Sequence, residues 1–297
     1  MAWSKGPAPI PKQAMQFEGS LVVSERLRVT WARMAAFVRR DFLFQWSYKF
    51  GFLYEIGSIF STLLTLYFIS KMFGASPPAS IAAYGSDYFS FALVGMVFVD
   101  YMWVSMRTFA QEVRVAQLMG TLEAMLVTPA RPFELILFSA AYTYVRTLVR
   151  SALYLASGLL LFGTSFSSAN IPAAIVFLVL TVATFGGIGI LSAALTLYLK
   201  QSDPLTSIIG GVSFLFAGIL YPVQTLPPVV QAVAWVLPMT HSVEALRQAL
   251  LVGTGMEVLW PHAAVLAAWA VITFPLASFI LRMVMRVLSR EGSFGAY

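Results

Sequence analysis

Residues 221–253, YPVQTLPPVVQAVAWVLPMTHSVEALRQALLVG, decide the fold of this chain. The stretch is too apolar for an ordinary loop, and it is interrupted by four prolines, which stop or start helices: Pro222, Pro227, Pro228 and Pro238. Neither piece between the prolines is long enough to cross a bilayer, which takes about 20 apolar residues. We therefore predict two short helices that dip into the membrane and turn back, or that lie at its surface. We call residues 222–253 the hairpin.

The limits of the two short helices are set by the residues at their ends. The first is predicted over residues 229–237, with Pro228 near its first turn. The second is predicted over residues 240–252, where the Thr240 side chain can cap the N-terminus and Gly253 can cap the C-terminus.

Composition places the chain in a membrane. Of its 297 residues, 59% are apolar and 11% are charged, whereas a soluble domain carries roughly a quarter charged residues. We therefore predict an all-α polytopic membrane protein. The chain contains no cysteine, which excludes a disulfide, a thiolate metal site and a cysteine nucleophile. A charged cytoplasmic face accounts for the net charge of +6 without a nucleic-acid partner.

Six apolar segments are predicted to be transmembrane helices: residues 50–73, 88–111, 134–163, 171–199, 205–221 and 258–284. Because six is even, both chain termini lie on one side. Of the 19 lysines and arginines, all except Lys71 and Arg247 fall in or towards that side. The positive-inside rule then predicts cytoplasmic termini and places the hairpin on the outer face. The fifth segment is short, which suits a hairpin that begins inside the membrane.

An amphipathic helix is predicted over residues 25–48, ahead of the first segment. Its apolar stripe has helical spacing: Leu27, Trp31, Met34, Val38 and Phe42. Arginines flank the stripe, with Arg26, Arg33 and Arg40 on one side and Arg28 and Arg39 on the other. This pattern is typical of a helix in the headgroup plane whose guanidinium groups reach lipid phosphates. A soluble helix packed on a partner is the alternative. Residues 1–24 and 286–297 are predicted to be cytoplasmic tails around one transmembrane domain, residues 25–285.

The loop between the second and third segments carries another short helix. Gly120 ends the preceding helix, and Pro129 and Pro132 limit the short piece after it. This piece, residues 121–127, is about two helical turns long. One of its faces is apolar and consists of Leu122, Met125 and Leu126. Such a helix on a cytoplasmic loop suits a groove on another protein, and a simple re-entry turn is the alternative.

No catalytic constellation stands out in the sequence. There is no G-x-x-x-x-G-K-[ST] motif and no lysine follows a glycine, so this chain cannot hydrolyse nucleotide through a Walker A loop. His241 and His262 have no carboxylate-rich motif around them, which argues against a metal site. Glu244 and Arg247, three residues apart, are expected to pair along the second hairpin helix. We therefore predict a chain that is not an enzyme and holds no cofactor.

Four ionisable residues lie inside the apolar segments: Glu55, Asp100, Arg146 and Arg150. Charged groups are costly in lipid, so each is a candidate functional residue. Three interpretations stay open at this point. The acids can pair with the arginines as interior bridges that hold helices in register, the four residues can line a translocation path, or the acids can couple transport to protons.

The order of these elements, together with two motifs, carries a family resemblance. The loop motif consists of Gly120, Thr121, Leu122, Glu123 and Pro129. The hairpin motif consists of Tyr221, Pro222, Leu226, Pro227, Pro238, Thr240, His241, Glu244, Ala245 and Arg247. Over residues 25–285 the chain resembles the permease subunit of type-2 ABC exporters, the class that includes polysaccharide, teichoic-acid, Nod-factor and drug-export permeases.

The resemblance implies a division of labour between subunits. Residues 121–127 would be a coupling helix that docks into a separate ATPase subunit, which binds ATP and Mg²⁺. Two permease copies, expected to be identical, and two ATPase subunits would form the working unit in the bacterial cytoplasmic membrane. Segments one, two and five would border the pathway, and the hairpin would close it. Small residues on segment five make it our expected dimer contact: Ser207, Gly210 and Gly211.

We therefore expect an ATP-driven exporter whose amphipathic cargo leaves outward under the hairpin. A lipid-linked glycan is favoured by the aromatic content of 14% and by Arg146 and Arg150, which can meet a phosphate-bearing headgroup. A lipid or a lipophilic drug stays open as cargo. The alternative from another class is an ion-coupled carrier or channel that works without an ATPase through Asp100 and Glu55. A scaffold for a membrane complex is the third hypothesis.

Overall fold

The computed structural model describes residues 31–32, 34–36, 38–40, 42–43, 49–73, 80–84, 87–118, 120, 132–199 and 204–291. Every regular element in these ranges is helical, which confirms the predicted all-α class. The main helices are α1 (Lys49–Met72), α2 (Tyr88–Leu118), α3 (Pro132–Phe162), α4 (Ile171–Leu199), α5 (Pro204–Phe216), α6 (Pro228–Val236), α7 (Pro238–Arg247) and α8 (Met256–Glu291). Short 3₁₀ turns cover Ala82–Tyr84 and Val223–Thr225, and one π-helical stretch, Gln248–Val252, continues α7.

Five helices of the described chain are long and apolar enough to cross a membrane, namely α1, α2, α3, α4 and α8. The chain is therefore a multi-pass membrane protein. Helices α2, α4 and α8 all begin beside the hairpin, since α2 and α7 are in contact and Asn170 at the start of α4 bonds to Ala249. We call this side the hairpin face. Helix α8 continues through residues 286–291, which were predicted to belong to a tail.

Helix α5 is shorter than the fifth apolar segment from which it was predicted. It has 13 residues and ends at Phe216, so at 1.5 Å per residue it is about 20 Å long. A hydrocarbon core is about 30 Å thick. The helix ends because Gly218 adopts a φ of +73°, which glycine tolerates best, and because Pro222 cannot continue a helix. The chain therefore continues beyond Phe216 as irregular backbone.

The core of the molecule lies around α2 and α4. In the apolar stretch of each membrane-spanning helix, 78% of α2 and 56% of α4 is buried. The corresponding share is 17% to 22% for α1, α3 and α8. Small residues of α4 allow this packing, because a Cβ at Gly189 would collide with the backbone of Ser105 in α2. A Cβ at Gly187 would likewise collide with Thr273 in α8. Helix α4 is therefore held closely between α2 and α8.

The two hairpin helices meet at 89° and have opposite environments. Helix α6 is largely exposed, whereas nine of the ten residues of α7 are buried against α2, α4 and α8. The predicted Thr240 cap is wrong, since α7 begins at Pro238 and Leu237 occupies the N-cap position. Proline suits a first helical turn because its missing N–H has no partner there. The predicted Gly253 cap is confirmed by its φ of +82°.

Candidate functional site

Arg247 of α7 holds the irregular segment that comes after α5. The side chain is 1% exposed. Its Nε donates to the carbonyl of Phe91 at 3.0 Å, Nη1 donates to that of Gly218 at 2.7 Å, and Nη2 donates to that of Ile219. The Tyr88 hydroxyl donates to the next carbonyl, that of Leu220, at 3.0 Å. Non-helical backbone is tolerated at membrane depth only where its polar groups are satisfied, and these donors satisfy it.

Glu244 anchors the hairpin to the α1–α2 connection rather than to Arg247. Its carboxylate accepts hydrogen bonds from the Tyr84 hydroxyl and from Gln248 Nε2, both at 2.7 Å. The predicted Glu244–Arg247 pair is therefore wrong, because the guanidinium is engaged by three carbonyls. Burial, together with the neighbouring Glu244 carboxylate, raises the pKa of Tyr84 and keeps its hydroxyl a donor.

The four ionisable residues inside the spans form two ion pairs. Arg146 donates through Nε to both Glu55 oxygens at 3.1 and 3.0 Å, which links α3 to α1. Arg150 Nε lies 3.3 Å from Asp100 Oδ2, which links α3 to α2. Both pairs are half-buried. The structure thus brings all four predicted residues together in pairs, an arrangement that suits bridges between helices.

Two adjoining clefts lie along residues 100–114 of α2. The first, of about 230 Å³, is bordered by α2 and α3 and includes Asp100, Arg107, Gln111 and Arg150. The second, of about 260 Å³, is bordered by α2, α4 and α5 and includes Arg107, Gln111, Arg114 and Thr196. Arg107 and Gln111 line both, so the clefts form one polar strip along α2. Sequence inspection missed it because its residues come from four helices.

The family model described as "ABC-2 type transporter" matches residues 33–251 of the chain. The chain belongs to this family. The match includes the whole loop motif and the whole hairpin motif, and it confirms the predicted resemblance. No curated protein matches the chain.

For this ABC-2 family member, the coupling segment 121–127 lies outside the described residues, and with it Thr121, Leu122, Glu123, Met125 and Leu126. Its flanks are described. Helix α2 ends at Leu118, Gly120 has a φ of +65°, and α3 begins at Pro132. The docking role of the segment therefore stays a prediction.

The interface helix of the ABC-2 subunit is described in part. The described residues between 31 and 43 are helical, and Trp31 is 64% exposed. Arg40 is also exposed. Arg26 and Arg33 lie outside the described residues. The exposed tryptophan suits a helix on a lipid surface, but contact with lipid stays a prediction.

The structure also joins two histidines that are 21 residues apart in the chain. His241 Nδ1 and His262 Nδ1 lie 3.0 Å apart, and His241 Nε2 lies 2.8 Å from the carbonyl oxygen of Trp235. The rings of Trp235, His241 and His262 lie close together and connect α6, α7 and α8 at the hairpin face of the ABC-2 subunit. No local pattern indicates the contact between the histidines, since it depends on how α7 packs against α8.

Gly210 of α5 has a different role from the one predicted. A Cβ at this position would collide with the indole of Trp103 in α2, so Gly210 packs within its own chain. Gly211 has open space around it and Ser207 is exposed. The predicted contact with a second copy then rests on Gly211 and Ser207, and it stays a prediction.

Proposed function

We propose that this ABC-2 family member is the membrane subunit of an exporter that moves an amphipathic cargo outward across the bacterial cytoplasmic membrane. A separate ATPase subunit, present in two copies and holding ATP and Mg²⁺, powers the transport. Two identical permease copies form the pathway. The termini lie in the cytoplasm and the hairpin lies on the outer face.

One observation carries the mechanical part of the proposal: a single helix, α2, connects the two functional motifs. Its 31 residues make a rod about 46 Å long. At one end Phe91 accepts a hydrogen bond from Arg247 of the hairpin. The other end, Leu118, is three residues before the segment proposed to couple to the ATPase. A displacement that reaches Leu118 can therefore pass to the hairpin along α2 itself.

The proposed cycle uses this connection. ATP binding closes the ATPase subunits and shifts the coupling helices, and α2 moves as a rigid body within each copy. The hairpin moves with α2 and relative to α4, because Arg247 joins α7 to the first turn of α2. A path then opens between the copies, and the cargo leaves outward beneath the hairpin.

The ion-coupled alternative gains no support from the ionisable residues. Glu55 lies 3.0 Å from Arg146 and Asp100 lies 3.3 Å from Arg150. Each carboxylate is thus held in an ion pair between two helices, which is the arrangement of a structural bridge.

Substitution of the coupling face tests the proposal. In proteoliposomes that contain the chain and its ATPase subunit, Leu122→Asp with Met125→Asp should leave ATP hydrolysis measurable but uncouple it from export of a fluorescent lipid. Gly57→Ala in α1 is the control and should export normally, because a Cβ there meets nothing within 4 Å. Export by the chain in the absence of any ATPase subunit would rule the proposal out.

A further inference from the structure

Arg107 carries a positive charge that the described part of the chain leaves unneutralised. Its side chain is exposed, and it forms no ion pair with any residue in the described ranges. Its guanidinium instead contacts the indole of Trp103, whose centroid lies 4.1 Å from Cζ. Arg146 and Arg150, by contrast, are each engaged by a carboxylate. Of these three arginines, Arg107 is the one available to an anionic ligand.

Packing against Trp103 defines the position of the Arg107 side chain. Its guanidinium stacks on Trp103, and that indole sits against the Cα of Gly210 in α5. A planar guanidinium held on an aromatic ring loses less freedom when it forms hydrogen bonds than a free side chain does. The side chain is therefore preorganised at the junction of the two clefts.

The second cleft offers donors to an anion, and none of its described lining residues is a carboxylate. It is lined by two arginines, one amide and three hydroxyl groups: Arg107, Arg114, Gln111, Thr196, Thr206 and Ser207. The Thr196 hydroxyl is buried and has no hydrogen-bond partner within the described chain. A buried polar atom without a partner is costly unless a ligand or water satisfies it. Guanidinium groups with neighbouring hydroxyls match the oxygens of a phosphate.

The position of Arg107 along α2 suits contact with lipid phosphates. It is the twentieth residue of α2 counted from Tyr88, which places it about 30 Å along the helix. A hydrocarbon core is about 30 Å thick, so a membrane with one boundary at the start of α2 would place Arg107 near its opposite boundary. The cleft volume of about 260 Å³ lies below the roughly 300–1,000 Å³ of sites that enclose drug-sized ligands. It suits a head group whose acyl chains stay in the lipid.

We propose that the cleft between α2, α4 and α5 binds the phosphate-bearing head group of a lipid-anchored cargo through Arg107. The inference rests on the proposed export function and names the chemical class of its cargo. It also replaces the expectation that Arg146 and Arg150 meet the phosphate, because the structure pairs both with carboxylates. Gln111 and Thr196 supply further donors, and Trp103 positions the guanidinium.

Binding to the 297-residue chain in a phosphate-free maltoside detergent tests the inference. Three probes are titrated: dioctanoyl phosphatidic acid, dioctanoylglycerol with the same acyl chains, and inorganic phosphate. Phosphatidic acid should bind at least about tenfold more tightly than the diacylglycerol, the difference expected from charge-assisted hydrogen bonds. Arg107→Gln should remove about that tenfold preference. If inorganic phosphate competes with phosphatidic acid, the phosphate group alone suffices for binding. If inorganic phosphate does not compete, the acyl chains are also needed. Either result supports the site, provided that phosphatidic acid is preferred over the diacylglycerol.

Arg282→Gln is the matched control. Arg282 is also exposed and lies in the second half of α8, where its Nε donates to the Ser278 carbonyl, far along the chain from the cleft. Its substitution should leave the preference unchanged. Equal affinity for the two lipids, an unchanged preference in Arg107→Gln, or an equal loss in Arg282→Gln would each overturn the inference.

This measurement needs neither an ATPase subunit nor transport, so the two proposals fail separately. A chain that exports with its ATPase but binds both lipids equally contradicts only the phosphate site. A chain that prefers phosphatidic acid but exports without an ATPase contradicts only the proposed function.

Discussion

The guanidinium of Arg247 lies over the ring of Phe91, with 3.4 Å between Cζ and the ring centroid, and it donates to the carbonyl of the same residue at 3.0 Å. This one contact joins the buried hairpin helix α7 to the first turn of α2. Because Arg247 also donates to two carbonyls after α5, three elements meet at a single side chain. An arginine suits this role, since its planar group offers five N–H donors in a fixed arrangement.

Gly95 leaves space for the Arg247 side chain, and a larger residue at position 95 should displace the hairpin. A Cβ at Gly95 would collide with Arg247 Nη2 and with the Ile219 carbonyl. We expect Gly95→Ala to destabilise the protein by about 1–3 kcal/mol, the usual cost of overpacking. Thermal unfolding in detergent, monitored by tryptophan fluorescence, measures the change. Gly57→Ala in α1 is the control, because a Cβ there meets nothing within 4 Å. Equal stability of the two variants would contradict the packing role.

The Tyr84–Glu244 hydrogen bond should make stability depend on pH in the alkaline range. The pKa of Tyr84 is raised above its ordinary value of 10.0, so the folded state holds this proton more tightly than the unfolded state. Its contribution is fully present below pH 10 and is lost as the pH rises further through the folded-state pKa. Tyr84→Phe should remove this pH-dependent contribution to stability. The measurement is the stability difference between wild type and Tyr84→Phe at pH 8 and at pH 11. A difference that does not shrink at pH 11 would argue against this assignment.

The ion pair between Glu55 and Arg146 should couple the stability of α1 and α3. Glu55→Gln and Arg146→Gln should each destabilise the protein, because each leaves a half-buried charge without its partner. The double variant should be less affected than the sum of the two, by about 1 kcal/mol or less, as for other partly exposed pairs. A thermal-unfolding double-mutant cycle gives this coupling, and the Asp100–Arg150 pair provides a parallel cycle. Loss of export without any coupling would favour a role in the pathway instead.

A disulfide that joins the hairpin to α4 should stop export without disturbing binding of the ATPase subunit. The hydroxyls of Thr181 in α4 and Ser242 in α7 lie 2.9 Å apart, so cysteines at these positions are close enough to be joined. The chain has no other cysteine to interfere. We expect oxidised Thr181→Cys with Ser242→Cys to bind the ATPase subunit normally but to export nothing, and reductant to restore transport. Each single variant is a control. Full export with the disulfide verified by mass spectrometry would show that α7 need not move.

Much of the hairpin could be predicted because its constraints are local. Pro228 and Pro238 each begin a helix, and Gly253 ends one, where their backbone preferences require it. Thr240 misled the prediction because threonine favours N-caps, yet Pro238 already starts the helix two residues earlier. The Thr240 hydroxyl instead donates to the Ala234 carbonyl of α6. Pro238 and Thr240 are both residues that favour the start of a helix. The turn between α6 and α7 decided that α7 starts at Pro238.

The sequence by itself determined the membrane class, the family and the places where helices break, since length, hydropathy and proline act on the chain locally. Tertiary structure alone decided the partners of the charged groups. Arg247 could pair with Glu244 one turn away, but it lies among three carbonyls from distant segments. Unsatisfied backbone is costly in lipid, so the carbonyls after α5 need donors, and the packing of α7 places Arg247 where it donates to two of them.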